Sequence, residues 1–470
     1  MKHFLKRLMG FSLGPILGAF ISIAQVPIFT YLLTKEEYGI STLFRTLIVN
    51  VPNFLYIGLD QSYTREYHRD SDKRNLMQQA ALIPMIIGVI LFIVAIIFAS
   101  PISYWLFDSP EYAYIVWLSG IWVLATVIER FLLLTIRMEE KALEYSKYTL
   151  LLKLNVFIVS MALILFGMRD FRVVVFGLLF GQLIGDAVLI FKYRQFFDLS
   201  QFKLDPTLVK GMLLFGLPLM LSVSLTSLLN SVDTTMLKTY STYDELGSYG
   251  GAMNVVNIIG ILKTAFASFW VPTAYRWYEE NKSMAHFKFI SDAVLFILTG
   301  LFFGLLIFRP VIMLLLGPNY ASSQYLIGLL SFPHIMYTLS ETTTLGIVFS
   351  RKTYLNIFVS MAALVPSVLI NLWLTPTYGA TGAAFASCGA YIMFYLARTY
   401  FSSRSGFSFS QRKHLMTIAM MSLAAIVNAF PVEHRALITW GLGLLCLLIQ
   451  WTTIRDAWSI KQSSSEWDFS

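Results

Sequence analysis

Apolar runs of about 20 residues, the length that crosses a hydrocarbon core about 30 Å thick, follow one another almost without a gap from Pro15 to Trp451. A chain built this way cannot bury its apolar surface inside soluble domains. Only 13% of its residues are charged against 57% hydrophobic, where soluble domains carry roughly a quarter charged. The fold expected is all-α and polytopic. About fourteen transmembrane helices are expected at 10–33, 40–60, 80–100, 113–135, 149–167, 172–191, 211–237, 247–270, 289–309, 326–349, 355–374, 381–400, 414–430 and 437–455.

The runs are not independent. Phe11-Ser12-Leu13-Gly14-Pro15, an apolar stretch and a polar hairpin expected at Glu36-Glu37-Tyr38-Gly39 return as Phe215-Gly216-Leu217-Pro218, an apolar stretch and a hairpin expected at Asp244-Glu245-Leu246-Gly247. Leu154-Asn155-Val156-Phe157 returns as Leu355-Asn356-Ile357-Phe358, and Gly177-Leu178-Leu179-Phe180 as Gly382-Ala383-Ala384-Phe385. Both copies run in the same direction, as in transporters built of two related halves. The reading is a six-helix lobe at 1–200, a second at 201–405, and two extra helices with a tail at 406–470.

The net charge of +8 speaks to topology before it speaks to nucleic acid, which is not expected as a partner. With the N-terminus inside, Arg65, Arg69, Arg137, Lys141, Lys192, Lys203, Arg276 and Arg404 fall in cytoplasmic connections. Few basic residues, among them Lys35, Arg169, Arg309 and Arg435, fall outside. Both termini are therefore expected in the cytoplasm, with no cleaved signal peptide. Cys388 and Cys446 lie in apolar runs without metal-ligand spacing, and nucleotide-binding and hydrolase motifs are absent from the sequence. No enzyme activity and no cofactor are expected.

Candidate site residues are the polar and ionisable ones at membrane depth. Thr42, Thr46, Asn50 and Asn53 share a side of the second span, with Arg45 at its edge. Ser222, Thr226, Asn230 and Asp233 stripe the seventh. Asn254, Asn257, Lys263, Thr264 and Ser268 band the eighth, and Ser331, His334, Thr338 and Glu341 the tenth. Hydroxyls and amides there commonly join helices, whereas charge in a bilayer usually faces a partner or water. Arg45 and Lys263 are thus the first candidates for holding an anionic group. Arg130 and Lys153, expected near the inner surface, come second. Glu341 and Asp233 are candidates for coupling to an ion gradient, with static pairing as the alternative reading.

Phe215-Gly216-Leu217-Pro218, Asn230-Ser231-Val232-Asp233, Glu245-Leu246-Gly247-Ser248-Tyr249, and Tyr378-Gly379-Ala380-Thr381-Gly382 resemble the polysaccharide transporter (O-antigen flippase) family. That family belongs to the multidrug/oligosaccharidyl-lipid/polysaccharide exporter superfamily. The resemblance implies two six-helix lobes around a central cavity plus two helices. It also implies undecaprenyl-diphosphate-linked oligosaccharide flipped to the outer leaflet of a bacterial inner membrane by alternating access; the candidate carboxylates Glu341 and Asp233 add the expectation of a proton or sodium gradient. Polysaccharide polymerase and glycosyltransferases are the implied partners, with membrane lipids around them. Asn50, Asn53, Asn254 and Asn257 would then meet sugar hydroxyls. A multidrug or small-metabolite exporter of the same fold, or a membrane polymerase or ligase, are the competing readings.

Overall fold

A computed structural model describes residues 2–314, 316–350, 352 and 354–462; within these, the side chains of 2–12, Thr264, Ala265, Ser268, Phe269, Pro272, Ala457 and 459–462 lie outside the description. The Thr264 and Ser268 portion of the eighth-span band is therefore outside the described side chains.

The described residues are helical nearly throughout, with no strand among them. In order they are α1 (Lys2–Leu32), α2 (Lys35–Leu55), α3 (Leu59–Glu66), α4 (Lys73–Ile97), α5 (Ala99–Phe107), α6 (Ala113–Met138), α7 (Ala142–Leu165), α8 (Arg172–Lys192) and α9 (Pro206–Tyr240). Then come α10 (Tyr243–Glu279), α11 (Met284–Ile307), α12 (Arg309–Met313), α13 (Ile327–Thr343), α14 (Leu345–Phe349), α15 (Leu355–Arg404), α16 (Arg412–Asn428), α17 (Arg435–Ile449) and α18 (Trp451–Gln462). Every expected span falls on a helix. Among the described residues, eight helices qualify by length and apolarity as membrane-crossing, or nine if the bent pair α2 and α3 is one span.

Two expected spans are fused in α15, whose 50 residues turn at Gly379, with φ +52 and ψ −128. Only glycine holds this conformation without strain. A Cβ there would also lie 2.7 Å from a carboxylate oxygen of Glu245.

The polar turns of the repeat are helix starts rather than hairpins. Thr34 and Thr242 are N-caps whose hydroxyls accept the N–H of Glu37 and Glu245, leaving each glutamate in the first turn, where the helix dipole favours a negative charge.

The chain divides into two compact units, Met1–Lys238 and Thr239–Ser470. The repeat assigns α9 to the second lobe; by packing it groups with the first unit. There, α7 and α8 close tightly because Gly177, Gly181 and Gly185 fall on one face of α8. A Cβ on Gly181 would sit 2.5 Å from the Val156 Cα. Small residues of this kind let helix backbones approach within lipid. α1 meets α7 at Gly14, whose N–H donates to the Ser146 hydroxyl at 3.0 Å.

In the second unit, Trp270, Trp277, Phe287, Leu345 and Phe407 form an aromatic core. The last helices dock on α11: Lys413 of α16 pairs with Asp292 at 2.7 Å, and Gln450 beyond α17 donates to the Thr299 hydroxyl at 3.1 Å.

Candidate functional site

Each unit carries its own cluster of membrane-level charge. In the first, Arg45 of α2 and Lys153 of α7 are electrostatic neighbours. Both are accessible, and neither makes a hydrogen bond or ion pair among the described residues. Lys153 was expected near the inner surface; α7 begins at Ala142 rather than 149, so Lys153 lies midway along it. Its stem passes over α1, where a Cβ on Gly18 would come within 2.9 Å of the Lys153 Cγ. Glu129 lies within electrostatic reach of Lys153 but is bonded elsewhere. No carboxylate is bonded to either of these two neighbouring cations among the described residues.

Arg130 is committed to another partner. It donates to one Asp60 oxygen through Nε (3.3 Å) and Nη2 (2.7 Å), and its guanidinium lies over the Tyr56 ring. The neighbouring residue on α6, Glu129, accepts from Gln182 Nε2 at 2.6 Å and meets the carboxyl of Asp186 on α8. Asp186 is 1% exposed, and neither of its oxygens has a hydrogen-bond donor among the described residues. Glu129 and Asp186 are thus neighbouring carboxyls, and Arg130 and Lys153 are within electrostatic reach of Glu129. Sequence reading did not single out Asp186, Gln182 or this pairing. The signal was available, since Asp186 is the one acidic residue in the run 172–192.

Asn50 and Asn53 join helices: the first donates to Thr46 O and to Ser231 Oγ at 3.1 Å, the second to Ser227 Oγ at 3.0 Å. Thr42, Thr226 and Thr338 turn their hydroxyls back to the carbonyl four residues earlier. Asp233 is buried on α9 and is not without a partner.

In the second unit the ammonium of Lys263 lies 4.0 Å from the centre of the Tyr337 ring. Arg398 of α15, also missed from sequence, stacks on the same ring and on Phe394, each at 5.1 Å. Arg398 Nη1 pairs with Glu341 at 2.7 Å and donates to Ser340 Oγ at 2.8 Å. Glu341, expected as a coupling carboxylate, is thus held by an arginine, the static alternative. Lys263, Arg398 and Glu341 together leave one positive charge over. Asn254 donates to Gly250 O of its own helix, while Asn257 is exposed, without a hydrogen bond among the described residues. No group of three metal-ligating side chains occurs among the described residues.

Repeated apolar helices long enough to cross a bilayer define a polytopic membrane protein. The family model of the polysaccharide biosynthesis protein family matches residues 5–277, and the chain belongs to that family. Its fold is shared with a structure of lipid II flippase MurJ in an inward closed conformation, at TM-score 0.68 and 14% identity, covering 95% of this chain and 99% of that one. An inward-facing multidrug resistance MATE family transporter of the MOP superfamily aligns at TM-score 0.62 and 14% identity, covering 86% and 96%. DinF-BH, a MATE multidrug transporter, aligns at TM-score 0.57 and 15% identity, covering 86% and 96%. No curated protein matches the sequence.

Proposed function

We propose that the chain is a flippase for undecaprenyl-diphosphate-linked oligosaccharide, carrying it from the cytoplasmic to the outer leaflet of a bacterial inner membrane by alternating access. The observation that carries the reading is the unneutralised cation in each unit: Arg45 with Lys153 in the first, Lys263 beside the Arg398–Glu341 pair in the second. A diphosphate offers the charge and the oxygens such groups bind, and the polysaccharide family fits a sugar-bearing lipid. Asn257 and Asn254 are proposed to meet the glycan, with Asn50, Asn53 and Arg130 serving as supports around the site.

Transport is proposed to be coupled to a proton gradient through Glu129 and Asp186, neighbouring carboxyls of α6 and α8 that would share one proton. Glu341 and Asp233 are secondary candidates. Lobes at 1–200 and 201–405, cytoplasmic termini, and work beside a polymerase and glycosyltransferases complete the proposal. The drug-exporter reading is less well supported, because the Tyr337 face that would stack on a cationic dye is already covered by Lys263 and Arg398.

The test is flipping of a fluorescent lipid-diphosphate oligosaccharide in proteoliposomes, with and without an imposed pH gradient. Wild type should flip it, and Arg45→Gln and Lys263→Gln should lose most of the rate at equal insertion. Export of cationic dyes with no movement of the glycolipid would transfer the chain to the drug-exporter class.

A further inference from the structure

Away from these clusters, the second unit holds a pair of arginines that nothing neutralises among the described residues. Arg309 begins α12 directly after α11, and Arg435 begins α17, which packs on α11. The two guanidinium groups lie within electrostatic reach of each other. Arg309 is only 6% exposed. The Nη1 atoms of both arginines are enclosed and lack any hydrogen-bond partner among the described residues. No carboxylate pairs with either among those residues; the aromatic support there is Tyr325, 5.3 Å beneath Arg435.

A guanidinium does not shed its proton in a protein, and enclosing one without a counter-charge is strongly unfavourable. Two adjacent ones add their repulsion. Orphaned N–H groups on two neighbouring forks are a donor set that a phosphate group satisfies. The surroundings point to its source. Phe308 and Val311 beside Arg309 are 62% and 61% exposed, and Leu437 and Trp440 beyond Arg435 are 70% and 54% exposed. Acyl chains would cover these side chains.

We propose that Arg309 and Arg435 bind the phosphate of an anionic phospholipid whose tails lie along α12 and α17. The site is separate from the flippase reading and does not depend on it.

The experiment uses the full-length protein in nanodiscs of phosphatidylcholine, of phosphatidylcholine with phosphatidylglycerol, and of phosphatidylcholine with inorganic phosphate in the buffer at matched ionic strength. Thermal midpoints are compared for wild type, Arg309→Gln, Arg435→Gln and the exposed control Arg404→Gln. Phosphatidylglycerol should raise the midpoint of wild type and of Arg404→Gln, and the rise should shrink to under about half in each site variant, as loss of a ligand's stabilisation requires. Native mass spectrometry should find phosphatidylglycerol retained by wild type and lost from both variants. An equal rise with inorganic phosphate, removed by the same variants, would keep the phosphate site and replace the lipid as its occupant. A wild-type midpoint indifferent to both anions would overturn the proposal. So would site variants that melt above wild type in phosphatidylglycerol, the result expected when an empty pair is relieved of its repulsion. Should Arg309→Gln fail to insert, wild type and Arg435→Gln decide alone.

Discussion

The carboxylate of Glu245 accepts the backbone N–H of Ala380 at 2.9 Å, across 135 residues of sequence. Glu37 does the same for Phe171 at 2.5 Å across 134. In each unit, then, the glutamate that follows a threonine cap holds the start of the sixth helix of the repeat. The two halves share this tertiary contact as well as their sequence pattern. Glu245→Ala should destabilise the protein by about 1–3 kcal/mol, the cost of leaving a buried N–H without an acceptor, and Glu245→Gln by less, since its amide oxygen still accepts. Detergent melting curves with Ala and Gln variants indistinguishable from wild type would remove the latch.

Arg45→Gln and Lys153→Gln should each slow glycolipid flipping by at least about tenfold, the scale of one charge-assisted hydrogen bond of about 1.5–3 kcal/mol. Neither should lower thermal stability, because each removes one of two cations that repel. A fall in melting temperature with transport intact would assign these residues to structure instead.

Asp186→Asn should insert normally, its amide donating to Glu129 in place of the shared proton, and should abolish the response of flipping to an imposed pH gradient while downhill flipping persists. Infrared spectra of wild type at neutral pH should show the carbonyl stretch of a protonated carboxylic acid that this variant lacks. An unchanged band would refute proton sharing at this pair, whatever the substrate proves to be.

Gly181→Ala should be among the most harmful methyl additions in the chain, because its Cβ would meet backbone atoms of Val156 at 2.5 and 2.6 Å. Overpacking of that kind costs about 1–3 kcal/mol. Gly211, with nothing within 4 Å of a built Cβ, is the matched control, and equal melting of Gly181→Ala and Gly211→Ala would contradict the packing described.

Asp170, in the connection before α8, carries the pH dependence that can be signed. Burial pushes its carboxyl upward, but hydrogen bonds from the Arg172 side chain and backbone N–H outweigh this and hold it below the ordinary carboxylate range. The stabilisation is therefore complete above the unfolded pKa of about 4 and is lost as pH falls through the lower folded value. Screening at this half-open site keeps it under about 1 kcal/mol. Asp170→Asn should melt slightly below wild type at pH 7, with the gap closing in acid. A gap that widens on acidification would reverse the assignment.

The helices and the repeat were legible because membrane solvation writes them as long apolar runs and because the stretches at Glu37 and Glu245 recur in the same order; that each opens a threonine-capped helix emerged only from the structure. The site was legible only in its residue types. Lys263 and Glu341 could be found as lone charges, but which of them met a partner depended on Arg398, 57 residues beyond Glu341. Asn50 and Asn53 read as substrate amides until α9 supplied Ser231 and Ser227. Asp186 matters through a neighbour on another helix, and single-helix periodicity carries no record of that.

Gly18 has a consequence of its own. The missing side chain cuts a notch in α1, and the stem of Lys153 rests in it. α1 thereby sets the height of an ammonium it never bonds. Successive residues differ by about 1.5 Å of rise and about 100° of turn, so a screw motion of α1 by one position would bring Leu17 or Ala19 into the notch and push the ammonium aside. The first helix is a ruler for the cation, and a helix that shifts between two states would move the charge with it.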